Sequence, residues 1–199
     1  LSIVGFNVQL LVTDNGPGFS AEDAELAFVD RFARRGANFG RGLLEVHEEH
    51  LFTEQVQALV RQAIGSLREA NTPPRILLAT PPEETHTLGI LMVEAILRLD
   101  NVDAVCYGAQ MPVRDVAQAV ARHKMQIVAI SFSASYPTSK AIDYLEELRF
   151  RLPLSVEIWG GGASLRSTRK TVEAVRFFHD LPSVRVAVNN WRREHRVFS

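Results

Sequence analysis

A histidine stands two residues after a glutamate and three before a glycine in Glu84-Thr85-His86-Thr87-Leu88-Gly89. An imidazole offers a metal one bare nitrogen when an acceptor holds the proton on the other. Glu84 is close enough in sequence to be that acceptor, which would fix the tautomer and raise the basicity of the ligating nitrogen. Two polar signals follow. Ser131-Phe132-Ser133 begins after 41 intervening residues, counted from Gly89, and Gly161-Gly162 after 27 more, counted from Ser133. Serines there can hydrogen-bond the polar tail of a ligand, and glycines leave space that side chains would fill. Gly89 lets the backbone come close to a ligand for the same reason. Taken alone each signal is weak, since a histidine beginning a helix is commonly a cap and Gly-Gly commonly a turn. Their joint spacing carries the reading. There is no Ser-His-Asp order and no zinc-ligand spacing.

The elements that must hold these residues are legible as alternating patterns. Short apolar, β-branched runs at Ile76–Thr80, Ala104–Gly108, Ile127–Phe132, Val156–Trp159 and Val184–Val188 predict five strands buried on both faces. Amphipathic stretches at Leu88–Leu99, Val113–His123, Ser139–Arg151 and Leu165–His179 predict the helices between them. That cadence is α/β, a doubly wound parallel five-stranded sheet of flavodoxin-like (Rossmann-like) type. His86 then falls on the loop at the carboxyl end of a strand, where open α/β sheets bind ligands. Asn71-Thr72-Pro73-Pro74 reads as a linker. Before it, Glu45–Glu69 reads as one long helix, with Leu51, Val56, Leu59, Val60, Ile64 and Leu67 at helical spacing. Residues 1–14 are strand-like, and Ala21–Arg35 reads as a helix capped by Ser20.

Composition sets outer limits. The 199 residues allow one or two domains, and the formal net charge of −1 gives no overall pull toward nucleic acid. The single cysteine, Cys106, excludes an internal disulfide and reads as a buried, inert thiol. No apolar run approaches the roughly 20 residues of a membrane span, and no signal-peptide pattern opens the chain. A cytoplasmic location is expected. The chain opens on Leu1, as a fragment would.

The sequence Glu-x-His-x-x-Gly, then Ser-x-Ser, then Gly-Gly resembles the cobalamin (vitamin B12)-binding domain of methionine synthase, the mutases and the corrinoid methyl carriers. The resemblance implies adenosyl- or methylcobalamin as cofactor and His86 as the lower axial cobalt ligand. It implies contacts from Glu84, Thr85, Leu88 and Gly89, with Ser131, Ser133, Gly161 and Gly162 lining the channel for the nucleotide tail. Cobalt takes imidazole nitrogen well. Over roughly residues 44–196 the chain is most similar to MerR-type, B12-dependent transcriptional regulators. The stretches that carry this are Leu44–Glu54, Pro81–His86 and Trp159–Ala163. In those regulators a Trp and a later Glu-His cover the upper corrinoid face. Here the Glu-His is Glu49-His50, and the Trp position falls on Phe39. Gly40 stands where the light-sensing branch has a histidine.

The first 43 residues are unlike those regulators. Val12–Phe19, Phe28, Phe32 and Gly40–Leu43 locally resemble the ATP-binding domain of sensor histidine kinases. A plain strand, Asn-Gly turn and helix is the alternative reading. The implied organisation is an atypical segment (1–43), a helical cap over the corrinoid (44–72) and a cobalamin-binding α/β domain (73–199). The implied function is a non-enzymatic cobalamin sensor of the transcriptional-regulator type, whose cap couples upper-ligand state to homo-oligomerisation or partner contacts. DNA would be reached only through another domain, and Arg192, Arg193 and Arg196 are read as a solvated face. The alternatives are a corrinoid methyl carrier and an interaction module without cobalamin.

Overall fold

The structure, a computed structural model, describes residues 43–166 and 168–196, with side chains from Thr53 onward except those of Gln55 and Arg196. The chain divides into two compact units, Leu1–His47 and Glu48–Ser199, and the side-chain contacts given below belong to the second. Helix α1 (Leu43–Ser66) leads into strand β1 (Thr72–Ala79). There follow α2 (Leu88–Leu99), β2 (Val102–Gly108), α3 (Val113–His123), β3 (Ile127–Ser131), α4 (Thr138–Arg151), β4 (Glu157–Gly161), a short 3-10 turn (Ala163–Leu165), β5 (Val175–Phe178) and α5 (Leu181–Arg196).

All strand pairs are parallel, in the order β2-β1-β3-β4-β5. The two layers covering the sheet follow from side-chain alternation along β1. Ile76 and Leu78 face α2 and α5, in a core with Ile90, Leu97, Val188 and Trp191. Leu77 and Ala79 face α3 and α4, in a core with Val116, Val120, Leu145 and Leu148. Chain order reverses between β1 and β3, and such a switch point opens a crevice at the carboxyl ends of the strands. The expected doubly wound five-stranded sheet is therefore present.

Two sequence expectations are corrected. Val184–Val188 is not a strand and Leu165–His179 is not a helix: the fifth strand is Val175–Phe178 and residues 181–196 form α5. Val184, Val186 and Val188 alternate, but Val186 is 57% exposed, while Val184, Ala187, Val188 and Trp191 are buried at helical spacing. Asp180 starts that helix, its carboxylate accepting from the Ser183 N–H at 2.7 Å. Asn71–Pro74 is not a free linker either, because β1 begins at Thr72, which pairs with Val102. The register slips between Thr72 and Ile76, and such irregularities accommodate prolines that cannot donate to a ladder.

Of the arginines read as a solvated face, Arg193 is exposed, as expected, but Arg192 is not free. Arg192 donates to the Pro73 carbonyl and to Thr72 Oγ1, each at 2.7 Å, clamping α5 to the start of β1. Cys106 is half-buried, and its thiol is pushed above its ordinary range, chiefly by burial. Among the described residues no helix is long and apolar enough to cross a membrane.

Candidate functional site

The loop after β1 carries the first group. Thr80, fully buried, fixes its base: the hydroxyl donates to the Glu84 carbonyl at 2.8 Å and accepts from the Gln110 N–H at 3.1 Å. The loop is thereby joined at both ends of a four-residue span and to the connection after β2. Its outer side is held by an ion pair of 2.6 Å between Glu83 and Lys140 of α4.

Glu84 is 2% exposed and accepts three hydrogen bonds. Its Oε1 faces both the backbone N–H of His86 at 2.9 Å and the His86 Nδ1 at 2.8 Å. Its Oε2 accepts from the backbone N–H of Ser133, beyond β3, at 2.7 Å. Burial by itself would raise the carboxyl pKa. Hydrogen bonds from Ser133 and His86 outweigh it and hold the group below its ordinary value, so Glu84 is ionised at neutral pH. A carboxylate only accepts, so Nδ1 is the donor in this contact and Nε2 is the nitrogen it leaves available. The imidazole is 57% exposed, and among the described residues its Nε2 makes no hydrogen bond. The expected acceptor role of Glu84 is thus realised in the geometry. The carboxylate also bridges the ends of β1 and β3, the two strands flanking the switch point.

Ser131 ends β3 in register with Gly161 of β4, and its Oγ would lie 3.4 Å from a Cβ placed on Gly89. Ser133 donates its backbone N–H to Glu84, and its hydroxyl, 2.9 Å from Ser135 Oγ, also helps to lower the Glu84 pKa. Gly162 has φ +108°, and a Cβ there would meet the Phe132 carbonyl oxygen at 2.1 Å. Only glycine fits that approach. At Gly161 an added Cβ would make ordinary contact, 3.5 Å from the Phe178 carbonyl, so the protein's own packing does not require this glycine. Thr138 Oγ1 donates to the Ser164 carbonyl at 3.0 Å and braces the turn after β4 against α4.

The structure thus gathers Glu84, His86, Gly89, Ser131, Ser133, Gly161 and Gly162 at the carboxyl ends of β1, β3 and β4. Thr85 is exposed and Leu88 half-buried on the same loop-to-helix junction. Glu49 and His50 lie on α1, but their side chains are outside the described part. Phe39 lies outside the described residues, as do the strand and helix read before it and the segment resembling a kinase ATP site. Sequence reasoning missed Thr80, whose one signal is a hydroxyl at the end of an apolar strand, and the contact of α1 with the loop at Thr87. Among the described residues no group of three or more His, Cys, Asp or Glu is arranged to hold a bare metal ion.

Residues 74–180 match the family described as B12 binding domain. The chain is 33% identical over 141 residues to the HTH-type transcriptional repressor CarH of Myxococcus xanthus, covering 69% of this chain and 46% of that protein. It is 30% identical over 121 residues to the HTH-type transcriptional repressor CarA of the same organism, covering 60% of this chain and 42% of that protein. The chain therefore spans under half the length of these curated relatives. A monomethylamine corrinoid protein of Methanosarcina barkeri has a similar fold, with TM-score 0.52 and 18% identity over 66% of this chain and 63% of that one.

Proposed function

Because this chain belongs to the B12-binding domain family and has cobalamin as its cofactor, we propose that it is a cobalamin-sensing regulatory module with His86 as the lower axial cobalt ligand. The observation that carries this is the exposed imidazole whose Nδ1–H is held by a buried, ionised carboxylate. A single imidazole is too few donors for a bare ion. It suffices for a metal already held by a macrocycle, where the protein supplies an axial ligand. When bound, cobalamin supplies a cobalt whose upper ligand can change.

The chain's own residues would do the following. Glu84 orients the imidazole by holding its Nδ1–H, which presents Nε2 as the ligating nitrogen. Ser131, Ser133, Gly161 and Gly162 would line the path of the nucleotide tail between sheet and helices, with Thr85, Leu88 and Gly89 at its mouth. Helix α1 would cover the upper face through Glu49 and His50, with Phe39 before it. The organisation that follows is a segment 1–43, a cap 44–72 and an α/β domain 73–199. A change in upper ligand would shift the cap and so bias homo-oligomerisation or partner contacts, which requires different affinities for the two arrangements.

The similarity to transcriptional repressors supports a regulatory, non-enzymatic role inside the cell. DNA contact is assigned to a segment other than the α/β domain. The test is titration of the chain with hydroxo-, methyl- and adenosylcobalamin, in darkness and in light, followed by absorbance and gel filtration. The expected result is a spectral change on binding and an elution volume that depends on the upper ligand. Absence of binding would refute the proposal. Binding with an unchanging elution volume, together with methyl transfer to a partner methyltransferase, would replace the sensor with a carrier.

A further inference from the structure

Helix α1 touches the loop of His86 through a side-chain hydrogen bond that spends an unusual donor. Thr87 is the N-cap residue of α2, where a threonine ordinarily accepts from a first-turn N–H. It makes no such bond. Its hydroxyl, in a residue only 7% exposed, instead donates to Gln57 Oε1 of α1 at 3.1 Å. Threonine has few rotamers, so the loop side of this contact is stiff. Val56 and Ile64 of α1, before and after Gln57 in the helix, are buried, at 6% and 7% exposure. Thr87 directly follows His86, whose ring and backbone N–H are held on the other side by Glu84. His86 therefore stands between a carboxylate that holds its ring and the next residue, whose hydroxyl is held by an amide carried by α1.

We propose that the Gln57–Thr87 hydrogen bond is the connection through which helix α1 and the His86 imidazole set each other's position, making both residues positioning residues for axial ligation. This rests on His86 being the lower ligand. The coupling is reciprocal: displacement of α1 alters the hold of the imidazole, and ligation by the imidazole tightens α1.

The test uses the full chain with the variants Thr87→Val, Thr87→Ser, Gln57→Met and the pair Thr87→Val/Gln57→Met. Amide hydrogen exchange over residues 53–66 is measured first without cobalamin. Hydroxocobalamin is then titrated, and its affinity and the absorption of the imidazole-ligated form are read together. Thr87→Val and Gln57→Met should each speed exchange in α1 and each weaken imidazole ligation by about three- to tenfold, the size of one neutral hydrogen bond. The pair should be no worse than either single change, and Thr87→Ser should restore wild-type behaviour. Multiplying effects in the pair, or unchanged exchange in α1, would overturn the connection. If His86→Ala alters the cobalt spectrum while Thr87→Val leaves every readout at the wild-type value, axial ligation stands and the connection alone falls. If His86→Ala and wild type give one spectrum, both fall.

Discussion

Glu84→Gln keeps the shape of the Glu84 side chain and replaces one of its two acceptor oxygens with a donor. All three groups aimed at that carboxylate are donors: the N–H and Nδ1–H of His86 on Oε1, and the Ser133 N–H on Oε2. The amide can turn its oxygen toward His86 and keep two bonds, which leaves its NH2 against the Ser133 N–H. The opposite orientation loses two bonds and is disfavoured. A hydrogen bond to a charged group contributes about 1.5–3 kcal/mol, and a buried donor left unmatched costs a further 1–3 kcal/mol or so. With partial relaxation of the loop, the net loss is about 2–4 kcal/mol. For a chain of this size each kcal/mol moves the melting temperature by about 2–4 °C. Thermal unfolding of the cobalamin-free protein at neutral pH, followed by circular dichroism, should therefore show a fall of roughly 4–16 °C. The Nδ1–H contact survives in the favoured orientation, so the variant should still bind cobalamin. A melting temperature within about 2 °C of wild type, with native helix content, would refute the picture of a buried carboxylate holding three donors.

Gly162→Ala should cost about 3 kcal/mol or more, through its backbone conformation and the Phe132 carbonyl, read as lost soluble yield or an early urea midpoint. Gly161→Ala should fold within about 1 kcal/mol of wild type yet bind cobalamin more weakly; unchanged affinity would remove Gly161 from the tail's path. Arg192→Ala should lower the urea midpoint by the equivalent of about 1–2 kcal/mol, because it frees α5 from Pro73 and Thr72. Glu94, 6% exposed, has its pKa raised above 4.5, mainly by burial, which the attraction of Arg98 only partly offsets. As pH rises through 4.5 the unfolded chain ionises first, so the native state loses stability up to the folded value. The melting temperature of Glu94→Gln relative to wild type should therefore be higher at pH 7 than at pH 4. The reverse order would contradict the sign.

The sheet was largely legible because its strands are buried on both faces and read as continuous apolar runs. Helices α2 and α3 match their predicted bounds because their apolar periodicity is clean. The last strand and helix were misread for a local reason. Val184, Val186 and Val188 imitate strand alternation, while Val175–Phe178 offers four residues interrupted by Arg176. Only the burial of Ala187 and Trp191 separates the two readings, and burial is a tertiary fact. The Glu84–His86 contact was legible because both partners share one loop. The Ser133 backbone, Thr80 and Gln57–Thr87 contacts were not, since they join residues 49, 30 and 30 positions apart along the chain. Gly161 and Gly162 read alike in sequence, yet only the second has a backbone conformation that requires glycine.

Axial ligation by His86 is tested most directly by electron paramagnetic resonance of the cobalt(II) form of cobalamin bound to protein made with histidine carrying the heavy nitrogen isotope. The axial nitrogen splits the cobalt lines, and its nuclear spin sets the multiplicity. The expected result is a change of each triplet to a doublet on labelling, abolished in His86→Ala. Triplets that persist with labelled histidine would mean that cobalt keeps the nucleotide's own base, and that this imidazole is not its ligand.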